Sequence, residues 1–150
     1  MATLHGTIVD TATNQPIDAK VHVLNAMGTF CHPEGALLKR GPGRPFFFSN
    51  GEFEVNIGRG RTDVLVERGT EYEPSRLIVD APEKGVVDVE VYLNRWHHPQ
   101  RENWYPGNTH IHYDENETQP DDRLAVDCSV EGYNVTVVSV LDRRQLPYAS

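Results

Sequence analysis

The chain has 150 residues, with 22 acidic and 14 basic side chains and a formal net charge of −8. That length holds one domain, or a small domain with a piece of another, and suffices for a real core. The acidic balance excludes an electrostatic grip on nucleic acid or on an anionic membrane, both of which need clustered Lys and Arg. No run has the length and apolarity of a spanning helix and no signal peptide is legible, so the chain reads as soluble. A secreted or periplasmic location stays open if a signal has been removed. Cys31 and Cys128 show no metal-type spacing, and no disulfide can be read from them.

In chain order, Leu4, Gly6 and Ile8 alternate with His5, Thr7 and Val9, and the turn-rich Asp10–Pro16 ends the run. Ala19, Val21 and Val23 alternate with Lys20, His22 and Leu24, which predicts a second strand with His22 outward, as His5 is on the first. From Asn25 to Pro45 the pattern dissolves into Gly, Pro, Lys and Arg, a long loop expected to be mobile. Its Lys39, Arg40 and Arg44 are placed to meet an acidic ligand or a neighbouring domain. Phe46–Ile57 predicts a hairpin closed by Asn50-Gly51, with Phe53, Val55 and Ile57 inward. Val64 and Val66 continue the alternation, Arg68–Pro74 turns the chain, and Leu77 and Val79 begin another strand. The cleanest strand sets Val87, Val89, Val91 and Leu93 against Asp88, Glu90, Tyr92 and Asn94, one face buried and the other wet.

Short strands at even spacing, with Gly and Pro turns between them, predict a mainly β fold whose first domain, residues 1–93, is an antiparallel sandwich. Gly6-Thr-Ile-Val-Asp10, Pro16-Ile17, Ala19–Val23 and the later Asn-Gly-x-Phe resemble the carboxypeptidase-regulatory or transthyretin-like (prealbumin-like) sandwich. That likeness names a shape rather than an activity, since such modules serve as spacers, adhesion units and accessory domains.

Residues 94–106 form a connector rich in Trp and His, where Trp96 and Trp104 are expected to pack in a junction and His97 and His98 to lie at the surface. Beyond it, residues 107–150 predict a strand over Asn108–Tyr113, a helix opened by Pro120 and running to Glu131, and an apolar strand over Asn134–Leu141. Strand, helix, strand implies a parallel pair, with ligands gathered where the strands end, at His112 and Asp142. Within Trp104–Asp114, His110 and His112 are two residues apart, so on a regular strand both imidazoles project from one face and can share a zinc, manganese or iron ion.

The order of a Val-rich sandwich, Arg68-Gly-Thr-Glu-Tyr72, Leu93-Asn-Arg-Trp96 and Trp104-Tyr-Pro-Gly-Asn-Thr-His-Ile-His112 resembles the CehA/McbA-like branch of the PHP (polymerase and histidinol phosphatase) metallohydrolases. The resemblance implies a β/α barrel that opens with a His-x-His strand, matched by His110 and His112. It implies a second strand ending in an Asp-His pair, of which Asp142 matches the Asp. Arg143 stands where the family has its histidine. A guanidinium cannot ligate a cation, so Arg143 signals either an altered metal site or a grip on an anionic substrate group. The family's later ligands would lie beyond Ser150, so the chain is expected to be an incomplete β-α-β start of such a barrel, inactive alone. In the whole protein a divalent metal would activate water against an ester or phosphoester of a small molecule. Asp114, Glu115 and Glu117 are read as a solvated acidic loop ahead of ligands or a general base. The alternative function is a non-catalytic sandwich that binds carbohydrate or protein. With its apolar last strand uncovered, the chain is expected to self-associate through residues 107–150 or to leave them poorly ordered.

Overall fold

The computed structural model describes residues 1–40, 43–113 and 120–140. The chain divides into two units, Met1–His97 and His98–Ser150.

The first unit contains β1 (Ala2–Asp10), β2 (Gln15–Pro16), β3 (Ala19–Leu24), β4 (Phe30–Cys31) and β5 (Leu38–Lys39), followed by β6 (Phe46–Ser49), β7 (Glu52–Asn56), β8 (Gly60–Glu67), β9 (Ser75–Ala81) and β10 (Gly85–Leu93). A four-stranded sheet runs β10–β1–β2, with β7 further along the same edge of β1 as β2. A six-stranded sheet runs β5–β6–β3–β8–β9, with β4 also on β3. The inner rows of the two sheets make the core: Leu4, Ile8, Phe53, Val55 and Val91 from one, Val21, Val23, Phe47, Val64 and Val66 from the other. Each such side chain removed from water contributes about 1.5–3 kcal/mol. Val89, on the inward row of β10, is only half-buried.

Pairing is antiparallel throughout this unit except between β1 and β10, which run parallel in continuous register from Ala2↔Gly85 to Asp10↔Leu93. Alternation of apolar residues cannot reveal this, because it reports which face is buried and not the strand's direction.

The hairpin predicted at Asn50-Gly51 does not form. β6 joins the six-stranded sheet and β7 the four-stranded one, so the dipeptide is a corner between layers. A type I′ turn needs left-handed backbone at both central residues. Here Gly51 has φ +112°, while the positive-φ non-glycines among the described residues are Asn14 and Asn103, not Asn50. Ile8 N donates to Gly51 O at 2.7 Å, drawing the corner onto β1, and Ser49 Oγ donates to Glu52 O at 2.8 Å to brace it. A Cβ on Gly51 would lie 2.8 Å from Pro16 Cβ, so glycine is required there for space as well as for φ.

The stretch Asn25–Pro45, read as loop throughout, contains two short strands. Asn25 Oδ1 accepts from Met27 N and Thr29 N, both at 3.0 Å, and this tight turn brings Phe30–Cys31 back against Val23–Leu24.

The second unit has a 3₁₀ turn at Pro99–Glu102, then β11 (Gly107–Tyr113), α1 (Pro120–Val130) and β12 (Val135–Val140). β11 and β12 are parallel. Pro120 opens α1 with Asp121 and Asp122 in its first turn, which suits the positive end of the helix. Gly132, at φ +75°, closes it: Tyr133 N donates to Cys128 O at 3.1 Å and Gly132 N to Ser129 O at 3.0 Å. Among the described residues no helix is long and apolar enough to cross a membrane.

Candidate functional site

β11 carries both histidines of the His-x-His pair, but it is not a regular strand. Its register with β12 slips between Asn108 and Ile111, with Asn108 opposite Thr136 and Ile111 opposite Val138. Two residues of β11, Thr109 and His110, therefore face one residue of β12, a β-bulge. Asn108 Oδ1 accepts from His110 N at 3.0 Å and pins it. The irregularity covers Thr109 and His110, and regular pairing resumes from Ile111 to Tyr113. His110 is exposed, and His112 is in register with Ser139.

Asp142 and Arg143, with Asp114, Glu115 and Glu117, lie outside the described residues. Among the described residues no group of three or more His, Cys, Asp or Glu side chains converges as a metal site. Two imidazoles are the right donor chemistry for zinc, manganese or iron but supply only half of a tetrahedral shell. Among the described residues the donors thus fit such an ion in kind and number two.

The other histidines of the first unit are taken up by local contacts. His5 Nδ1 lies 2.9 Å from Asp88 Oδ1 across the β1–β10 pair, and His22 Nδ1 lies 2.6 Å from Pro45 O while its ring stacks on Phe30. Both face outward as predicted. His97 stacks on Trp96, whose Nε1 donates to Thr70 O at 2.9 Å. Trp96 and Trp104 are 60% and 72% exposed. Burial pushes the Cys31 thiol above its ordinary pKa, with hydrogen bonds from Asn25 opposing, which makes it a poor nucleophile.

A polar cluster that the sequence reading passed over holds the Arg68–Pro74 turn. Tyr72 Oη donates to Asp10 Oδ2 at 3.0 Å, and the guanidinium groups of Arg68 and Arg95 lie 5.6 and 5.7 Å from its ring centroid. Arg68 pairs with Asp18 and Arg95 with the buried Glu71. Burial raises the Tyr72 hydroxyl pKa most, the Asp10 hydrogen bond and charge add to it, and the two guanidiniums oppose. Each guanidinium has a carboxylate partner, although Arg68 Nε is buried with no hydrogen-bond partner, and the cluster works as a clasp between the turn and the strand ends of β1 and β10. Its only signal in the sequence was Arg68-Gly-Thr-Glu-Tyr72, where two charges and an aromatic crowd a turn.

No protein-family model and no curated protein matches the chain. Among solved structures, it is similar to GBS52, the minor pilin of Streptococcus agalactiae, at TM-score 0.45 and 15% identity over 65% of this chain and 45% of that one. It is also similar to the phospholipase PlaB of Legionella pneumophila, at TM-score 0.39 and 13% identity over 63% of this chain and 25% of that one. The chain thus spans less than half the length of either.

Proposed function

We propose that the chain carries the opening of a PHP-type metal-dependent hydrolase acting on an ester or phosphoester of a small molecule, with a carboxypeptidase-regulatory-like sandwich as accessory domain. One observation carries the reading: a His-x-His pair sits on the first strand of a parallel strand–helix–strand unit. His110 and His112 would be first donors to a divalent ion, which when fully ligated would supply an activated water. With two donors the affinity is expected to be loose. Calorimetric titration with zinc or manganese should show weak binding that disappears in the His110→Ala/His112→Ala double variant. No heat at all, or tight binding that survives the double change, would overturn the assignment.

A second reading, a non-catalytic module for carbohydrate or protein, is favoured by the exposure of Trp104 (72%) and Tyr105 (61%), since neighbouring open aromatics mark binding surfaces. Quenching of Trp fluorescence by an oligosaccharide panel, lost in Trp104→Ala and indifferent to metal, would select it.

A further inference from the structure

The two sheets of the first unit differ in width. One measures β5–β6–β3–β8–β9 across, the other β10–β1–β7. β9 and β10 are in contact at one rim. There three inward residues remain half-buried: Leu77 on β9, in register with the fully buried Val64, and Val87 and Val89 on β10, in register with Leu4 and Gly6. Further along the same row of β10, Val91 and Leu93 are buried. The core therefore stops short at the first half of β10.

β10 is also a long open edge. Its nine residues pair on one side with β1, and among the described residues no strand pairs with the other side. Edges are usually blunted by Lys or Pro within the strand or by covering segments. Gly85–Leu93 contains neither residue, and its outer row of Val86, Asp88, Glu90 and Tyr92 carries two exposed carboxylates, Asp88 lying 2.9 Å from His5 Nδ1 on β1 and Glu90 accepting from Tyr92 Oη at 2.8 Å. A second copy paired antiparallel in full overlap would set Asp88 of each copy opposite Glu90 of the other, a like-charge contact that disfavours self-pairing. A strand with cations on its outer row meets the opposite situation.

We propose that the free edge of β10 is a strand-addition site for an extended segment of another protein. The segment alternates β-branched residues, which extend the core beside Leu77, Val87 and Val89, with Lys or Arg facing Asp88 and Glu90. Main-chain hydrogen bonds supply much of the affinity and the alternation supplies the selectivity. This is independent of the metal reading, because no residue of β11 or β12 takes part.

The test uses the full chain and a synthetic peptide alternating Val and Lys, with a peptide of identical composition written as a Val block and a Lys block for comparison. Calorimetry should show binding of the alternating peptide only, and hydrogen exchange should slow over Gly85–Leu93. Asp88→Lys/Glu90→Lys should weaken that binding about tenfold or more while a Val–Glu alternating peptide gains. Both positions are exposed, so the melting temperature of the variant reports that it still folds. Equal binding of the two lysine peptides would reduce the effect to diffuse charge attraction and overturn the proposal. Unchanged exchange over β10 in the complex would overturn it too. Light scattering that shows a dimer of the free chain with β10 already protected would give the edge to a second copy instead.

Discussion

Gly6 sits in mid-strand on β1, where any β-former would ordinarily be preferred, and its space is already taken. A Cβ built there lies 2.2 Å from Phe53 Cζ and 2.4 and 2.9 Å from the two neighbouring ring carbons, distances that real contacts do not reach. Gly6 and Phe53 are in register across β1 and β7, so the ring covers the glycine. The ring has little room to retreat, since it is 5% exposed and packs at 70° against Phe47, 5.6 Å between centroids. Gly6→Ala must therefore push Phe53 off its rotamer or spread the strands, at a cost of about 1–3 kcal/mol for overpacking. In a unit of this size that corresponds to about 5–20 °C in melting temperature. The partner change makes the argument specific: Phe53→Leu alone leaves a gap and destabilises, but combined with Gly6→Ala it should restore part of the loss, a non-additive pair. Urea unfolding followed by circular dichroism, with hydrogen exchange on β1 and β7, measures all three variants. Gly6→Ala within about 0.5 kcal/mol of the parent, or strict additivity with Phe53→Leu, would refute the packing argument.

Replacement by Asp along β10 should grade with depth: Val91→Asp buries an unpaired carboxylate at a cost of several kcal/mol, on the order of a domain's whole stability, and should unfold the sandwich. Val89→Asp should cost clearly less and Glu90→Ala almost nothing, and equal melting temperatures would mean the facing is misassigned. Tyr72→Phe removes the hydrogen bond to Asp10 and should cost about 0.5–1.5 kcal/mol near neutral pH. Because the folded Tyr72 pKa is raised, its contribution is fully present below the ordinary value of 10.0 and is lost as pH climbs through the folded value. Stability of the parent should accordingly fall more steeply above that pH than stability of Tyr72→Phe, and parallel curves would argue against the clasp. Val135 and Val137 on β12 are 56% and 49% exposed, so light scattering should show concentration-dependent association that Val135→Lys/Val137→Lys removes without touching β10; a strict monomer would exclude it.

Much of the sandwich could be read from residues, because burial is what alternation encodes. Val21 and Val23, Phe53 and Val55, and Val64 and Val66 all face the core as their period of two requires. What could not be read was which strand each one joins. Phe46–Phe48 and Phe53–Val55 look like the two arms of a hairpin, yet the corner at Gly51 sends them to different sheets, a decision made by Ile8, Pro16 and Ile17 from elsewhere in the chain. The parallel β1–β10 pair joins residues 83 apart, as in His5 and Asp88, and no local pattern carries information over that separation.

The His-x-His strand shows the same limit at closer range. Spacing alone predicts convergent imidazoles only if the strand is regular, and regularity depends on the neighbour: β12 offers one residue, Val137, where β11 brings Thr109 and His110. The clue available beforehand was Asn108, a residue whose short amide side chain bonds its own backbone two residues on and so favours an irregular strand over a ladder. Bulges of this kind turn a side chain away from the alternation and recur beside functional sites. The bulge at His110 marks the place where β11 gives up ladder regularity beside a histidine. Asn108→Val tests that trade directly. It should regularise β11, raise protection of the β11–β12 amides in hydrogen exchange, and change zinc affinity if His110 is a ligand, whereas a gain in protection with unaltered zinc binding would separate the bulge from the metal.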